Sequence, residues 1–328
     1  MDLIEQIKTN LDTIKSINGV ENVVLTQRDG NPITSSGVWL SKNEIFHVSA
    51  ATSAIYNVGL SLHGEWLKYM VIEGPKAKIL IAPLHGTANR IDGSKDVNMN
   101  WAEYFIAMTT LANVNLGSIF IKTLTTLNNI NDLLLKSNQS FKPPLREFNE
   151  NQVGNIIDNF NAKEVSDDDI TVSSFVFNLG FDTFKKCEEV LWSFNKSIPD
   201  LIYSSVSFKG GYILNSIQPR AGFTLTPDVE TAMSFSLYDT ASRYGWLLKK
   251  MNTSSIFLDC NHYFHFIMGF ESGIFSSYVY RNEQKIGFIR LLLPKYLGLI
   301  QKVLEDGIQA SNNFGAGTNK IASPMLIR

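Results

Sequence analysis

Apolar side chains return every three or four positions at Leu3, Ile4, Ile7, Leu11 and Ile14, so the chain opens with a helix that buries one face. Ile17-Asn18-Gly19 stops it, with Gly19 suited to the left-handed position after a helix. The pattern then changes to the continuous apolar run of a buried strand, Val20 to Gln27. Arg28-Asp29-Gly30-Asn31 is a tight turn, and Ile33 to Val38 is the returning strand. Ser41 with Glu44 three residues later forms a capping box. The long helix behind it runs to about Leu62, with Val48, Thr52, Ile55, Gly59 and Leu62 on its interior side. Strands are predicted over Trp66 to Glu73, Lys78 to Pro83 and Tyr104 to Leu111, and a helix from about Leu116 to Leu135. The polar stretch from Leu84 to Trp101 reads as an insertion between the last two strands.

The second half repeats this order. A helix stripe runs through Phe181, Phe184, Cys187, Leu191 and Phe194. Strands Leu201 to Phe208 and Tyr212 to Ile217 join at Lys209-Gly210-Gly211. Thr226-Pro227-Asp228 starts a long helix that reaches about Met251, with a hydroxyl cap and an acid at its positive end. Strands follow at Ser254 to Asp259, Tyr263 to Phe270 and Gly273 to Tyr280. A closing helix ends near Gly307, and Pro294 favours a late start for it.

One phrase also recurs. Leu116-Gly117-Ser118-Ile119-Phe120-Ile121 and Ile286-Gly287-Phe288-Ile289-Arg290-Leu291 lie 170 positions apart, each opening a final helix. The reading is therefore two copies of one domain, over residues 1–137 and 179–307. A linker over 138–178 and a flexible tail over 308–328 complete the chain. The fold class is α+β. Each copy is a three-layer α/β/α domain, a five-stranded antiparallel sheet with the long helix on one face and the terminal helices on the other.

Composition narrows the function. The 328 residues carry a net charge of −2, with 44% hydrophobic and 18% charged side chains, which describes ordinary globular domains. No basic footprint for nucleic acid or an anionic membrane stands out in the bulk numbers. Two cysteines, Cys187 and Cys260, do not make a disulfide framework. No secretory signal and no apolar run near the ~20 residues of a membrane span is visible. A cytoplasmic protein is expected. Frequent Asn, Lys and Ile suit an AT-rich, archaeal-type genome.

Three stretches carry a family resemblance: Ile17-Asn18-Gly19-Val20, the strand and turn Val23 to Gly30, and Asn115-Leu116-Gly117 at the last helix of the first copy. With the element order, they resemble the Roadblock family of dynein light-chain domains. The resemblance covers Met1 to about Ser137 well and Phe181 to Gly307 more loosely. There the Asn-Gly-Val step is missing and Lys209-Gly210-Gly211 replaces Asp-Gly. A longin-like or profilin-like domain fits the second copy almost as well. The resemblance implies a non-catalytic platform that dimerises through a sheet edge and the long helix and engages small Ras-like GTPases or scaffolds a complex. It implies partners of Roadblock or longin type, in an intramolecular pseudo-dimer or a homodimer. The small face Ala50, Ser53, Ala54 and Asn57 suits close helix packing in such an interface, with Tyr238 and Ser242 as the candidates on the second long helix. The same small side chains equally suit packing on their own sheet.

No catalytic constellation is legible. His47 and His63 lie sixteen residues apart on one helix, roughly 160° around it, and cannot share a site. His262 and His265 sit at odd spacing on one strand and point to opposite faces. No metal site follows, and no Cys-x-x-Cys exists. Gly315 to Lys320 lacks the spacing of a phosphate loop, and Asp167-Asp168-Asp169 lacks an EF-hand around it. No cofactor and no enzymatic activity are expected. An alternative is a small-molecule sensor, suggested by the aromatic second copy (Tyr263, Phe264, Phe266, Phe270, Phe275, Tyr278, Tyr280) and by the insertion. A scaffold for partners other than GTPases is the other alternative.

Overall fold

The computed structural model describes residues 2–37, 41–64, 67–84, 103–136, 179–221, 223, 225–281 and 286–318. The expected insertion beyond Leu84, the linker and the last residues of the tail lie outside them. The described chain divides into two compact units. The first comprises residues 1–164 and 233–269, and the second 165–232 and 270–328.

Unit 1 begins with α1 (Leu3–Lys15), which buries Ile7, Leu11 and Ile14. Gly19 follows with φ +92°, the left-handed value its sequence position called for. Strands β1 (Val20–Gln27) and β2 (Pro32–Gly37) form the hairpin, in register Val23 with Ser36 and Leu25 with Thr34. Helix α2 (Lys42–His63) carries the expected capping box: Ser41 N–H donates to Glu44 Oε2 at 2.7 Å, and Glu44 N–H donates back to Ser41 Oγ at 3.3 Å. Val48, Thr52, Ile55, Gly59 and Leu62 are all buried, as the pattern predicts. Among the described residues α2 alone is long and apolar enough to cross a membrane, and 56% of its most apolar window is buried in the protein. That burial is what a core helix requires.

Strands β3 (Leu67–Glu73), β4 (Ala77–Pro83) and β5 (Tyr104–Leu111) follow, then α3 (Leu116–Lys136). Paired strands fix the layers. Ser36, opposite Val23, donates its hydroxyl to Asp12 of α1. Thr26, which points the other way, donates to Ser49 of α2 at 3.1 Å. Helices α1 and α2 therefore cover opposite faces of the sheet.

The sheet of unit 1 continues past this first set of five strands. Its order is β2-β1-β5-β4-β3-β8-β9, all neighbours antiparallel where their register is defined, with β8 at Ser255–Cys260 and β9 at Tyr263–Phe270. Strand β3 pairs with β8 through Met70 with Leu258, Val71 with Phe257 and Ile72 with Ile256. This pairing explains why the compact units depart from the expected division into residues 1–137 and 179–307. Hydrogen bonds along the β3 edge tie β8 and β9 to the first part of the chain. The boundary between the units falls inside α5 (Pro227–Lys249), at Met233.

Unit 2 contains α4 (Phe181–Ser197), β6 (Leu201–Phe208), β7 (Ile213–Ile217), β10 (Gly273–Tyr280) and α6 (Ile286–Thr318). Its strands lie in the order β10-β6-β7. Phe275 packs edge-on against Phe194 of α4. Its neighbour Ser276 points to the other face and donates to Glu230, in the first turn of α5, at 2.8 Å. The same alternation thus separates helices on two sides.

Helix α6 departs from expectation at both ends. It starts at Ile286, so Pro294 lies inside it rather than at its start. Pro294 is exposed, on the side of the helix turned away from its buried face. The helix also runs on to Thr318, through the segment expected to be a flexible tail. Gly307 is not its stop. A Cβ there would meet Thr183 Oγ1 at 2.5 Å, so this glycine lets α6 approach α4.

Candidate interaction surface

The six residues singled out on the long helices occupy two separate settings. On α2, three of them seat the β1–β2 turn of their own sheet. Gly30 holds φ +92°, and a Cβ on it would lie 3.3 Å from the Cα of Ala50. A side chain on Gly30 would crowd the backbone of α2 there. Ser53 Oγ donates to the carbonyl of Arg28 at 2.5 Å, and Arg28 Nε donates to Asn57 Oδ1 at 2.7 Å. Asn57 also donates through Nδ2 to Ser53 O at 3.0 Å. Ala54 is half-buried between them. On α5, the Tyr238 hydroxyl donates to Thr253 O at 2.7 Å, and its ring fills the space a side chain on Gly269 would need. Burial raises its pKa. Ser242 is half-buried one turn on.

A cleft of about 300 Å³ opens between the two long helices. Asn57, Val58 and Ser61 line it from α2, and Met233 and Ser236 from α5. Asn57 is the one expected interface residue that reaches it. The other four lining residues are not distinctive in sequence, because they are ordinary side chains made neighbours only by the fold. Two apolar side chains among three neutral polar ones suit a protein or a small neutral ligand better than a charged one.

Next to two of these residues, the same helices send polar side chains inward. His63, at the end of α2, is 3% exposed, and His265 of β9 is fully buried. His63 Nε2 and His265 Nδ1 are 3.0 Å apart. His63 Nδ1 meets the Tyr263 hydroxyl at 3.0 Å, and His265 Nε2 meets Ser234 Oγ of α5 at 3.4 Å. Burial pushes the His63 pKa down to about 3. Burial and the neighbouring His63 push that of His265 well below its ordinary value. Both rings are therefore neutral near pH 7. A neutral imidazole donates through one nitrogen and accepts through the other, so four groups in line can all be satisfied by a single direction of donation. A proton on the ring nitrogen that accepts between the two histidines would put two N–H groups face to face across that bond.

Sequence reasoning sorted these histidines by element and found no pair. The pair that forms joins the two halves of the chain, and it depends on β8 lying beside β3. No spacing within one element signals it. Among the described residues no group of three or more His, Cys, Asp or Glu side chains is placed to hold a metal.

Unit 2 holds a second buried polar cluster. Glu230 is fully buried and accepts from Ser205 Oγ at 3.1 Å and Ser276 Oγ at 2.8 Å. Burial, and then the charge of Glu230, push the Tyr203 pKa up to about 12. Tyr203 stacks on Phe223 with centroids 4.5 Å apart.

No family model matches the chain, and no curated protein matches it. Solved structures do. One is a Roadblock/LC7 domain from Streptomyces avermitilis, 13% identical, with a TM-score of 0.31 over 39% of this chain and 95% of that one. The gliding protein MglB of Thermus thermophilus is 12% identical, with a TM-score of 0.36 over 39% and 95%. MglB of Myxococcus xanthus is 14% identical, with a TM-score of 0.32 over 43% and 97%. Each match takes in nearly all of the smaller protein and well under half of this chain.

Proposed function

We propose that the protein is a non-catalytic platform made of two Roadblock-like copies in one chain, which binds small Ras-like GTPases or assembles a complex around them. The observation that carries this reading is the pairing of β3 with β8. Each is the first of the three consecutive strands that follow a long helix in its half of the chain. Each therefore holds the same place in the repeated element order. In the family that the sequence resembles, a sheet edge and the long helix mediate dimerisation. Here the β3 edge is already occupied by a strand of the same chain, which supports an intramolecular pseudo-dimer over a homodimer. The α2–α5 cleft is then the surface left for a partner.

The test is binding of the full chain to the host's own small Ras-like GTPases, each loaded with GDP or a GTP analogue. Nucleotide-dependent binding is the expected result, weakened by Val58→Arg or Met233→Arg in the cleft. Absence of binding to every such GTPase in both nucleotide states would overturn the GTPase reading.

A further inference from the structure

Glu230 of α5 and Ile45 of α2 hold the same place on the two long helices. Glu230 N–H donates to Thr226 O at 2.9 Å, and Ile45 N–H donates to Ser41 O at 3.0 Å. The strands match as well. Ser205 and Val24 are each the fifth residue of their strand, β6 and β1. Ser205 stands opposite Ser276 of β10, and Val24 stands opposite Ala107 of β5.

In the first half this set is apolar: Val24, Ala107 and Ile45 are all buried. In the second it is a buried carboxylate on two buried serines. Fold constraints shared by the two halves therefore do not account for polar groups here. A buried carboxylate is costly unless something answers its charge.

Further oxygens gather at the same spot, all in unit 2. Thr231 Oγ1 lies 3.4 Å from Glu230 Oε2. Ser216 of β7 stands opposite Ser205 on its other side. Tyr203, two residues from Ser205 on the same face of β6, is fully buried. Among the described residues its hydroxyl has no hydrogen-bond partner. The hydroxyls of Thr231, Ser205 and Ser216 nonetheless lie close enough to lower its pKa, against the larger rise from burial and from Glu230. A buried hydroxyl set among oxygens without a bond to any of them calls for a further partner.

We propose that this cluster binds a monovalent alkali cation, sodium or potassium, with Glu230 as counter-charge and the hydroxyls of Tyr203, Ser205, Ser216 and Thr231 as neutral ligands. A donor set made only of oxygen suits a hard cation, and a single carboxylate balances one positive charge rather than two. Each carboxylate oxygen of Glu230 accepts from a serine hydroxyl, as an ionised acid does. The positive end of α5 is shared with Asp228, an exposed acid in the same first turn. Ser216 is half-buried and marks the side from which an ion enters. The cluster stands apart from the α2–α5 cleft, so the proposal does not depend on the GTPase reading.

The test is unfolding of the full chain in tetramethylammonium chloride, with that salt replaced stepwise by sodium or potassium chloride at constant ionic strength. Above the dissociation constant, each tenfold rise in the bound cation should lower the unfolding constant about tenfold. Tyr203→Phe, which keeps the ring that stacks on Phe223, should weaken this dependence, and Glu230→Gln should remove it. Rubidium chloride soaked into crystals should give an anomalous peak between Tyr203 Oη and the Glu230 carboxylate. Unfolding that is indifferent to the replacement of tetramethylammonium overturns the proposal. So does a cation dependence that both variants retain, because the ion then binds elsewhere. A water bonded to Tyr203 Oη with no anomalous peak overturns it as well, and that readout needs no variant to fold.

Discussion

His63 and His265, 202 positions apart in sequence, share a hydrogen bond between Nε2 and Nδ1 at 3.0 Å inside the protein. An unfolded histidine titrates near 6.5, whereas His63 stays neutral in the folded chain down to about 3. Between those values the unfolded chain binds a proton that the folded chain does not. Stability from this site is therefore complete above about pH 6.5 and falls as the pH drops below it. The loss is about 1.4 kcal/mol per pH unit for His63, and His265 adds to it in the same direction. Urea melts at pH 7.5, 6 and 5 should show the decline. In the double variant His63→Gln, His265→Gln the slope over this range should shrink. An unaltered slope would mean that these rings are not its source.

The buried carboxylate of Glu230 makes a different kind of prediction. Glu230→Ala leaves the Ser205 and Ser276 hydroxyls buried without their acceptor, at a cost of about 2–4 kcal/mol. Glu230→Gln keeps an acceptor oxygen and should cost less. Chemical denaturation of the three proteins should give that order.

At Gly269 a side chain has no room, since a Cβ would sit 1.7 Å from the Tyr238 hydroxyl oxygen. Gly269→Ala should lower stability by roughly 1–3 kcal/mol through displacement of the Tyr238 ring. The companion variant Tyr238→Phe removes the nearest clashing atom and the bond to Thr253, while the ring carbon 2.1 Å from that Cβ remains. In the double variant the combined loss should be less than the sum of the two single losses, measured as thermal midpoints.

Light scattering addresses the β3 edge. With that edge filled by β8, the chain should have the mass of a monomer at every concentration tested. Val71→Pro removes a ladder donor opposite Phe257 and places a proline within a paired strand. It should destabilise the protein, and a monomeric Val71→Pro of undiminished stability would contradict the role given to this pairing.

Much of the layer order was legible from local pattern. Gly19 and Gly30 stand at left-handed positions where a turn was read, and Ser41 and Glu44 cap each other as their spacing implies. Strands β1, β5, β6, β9 and β10 run over the expected residues, because a continuous apolar run bounded by turn residues constrains both ends. Pro294 misled because proline usually opens a helix, whereas here it lies inside α6 on its exposed side. Gly307 misled because a glycine near a helix end reads as a stop, although here it serves contact with Thr183. The His63–His265 pair and the α2–α5 cleft were not legible at all. Both depend on elements far apart in the chain, and no local rule says which strand will take the free edge of β3.

The β3–β8 ladder also bears on dilution. Two separate chains joined by such a ladder part when their concentration falls below the dissociation constant. Strands held on one polypeptide meet at an effective concentration set by the connecting segment, which does not change with expression level. A single molecule in a cell would carry the finished sheet. It would also be released from a rule that binds every symmetric dimer, that a substitution must appear on both sides at once. One long helix can then change its surface while the other keeps its own.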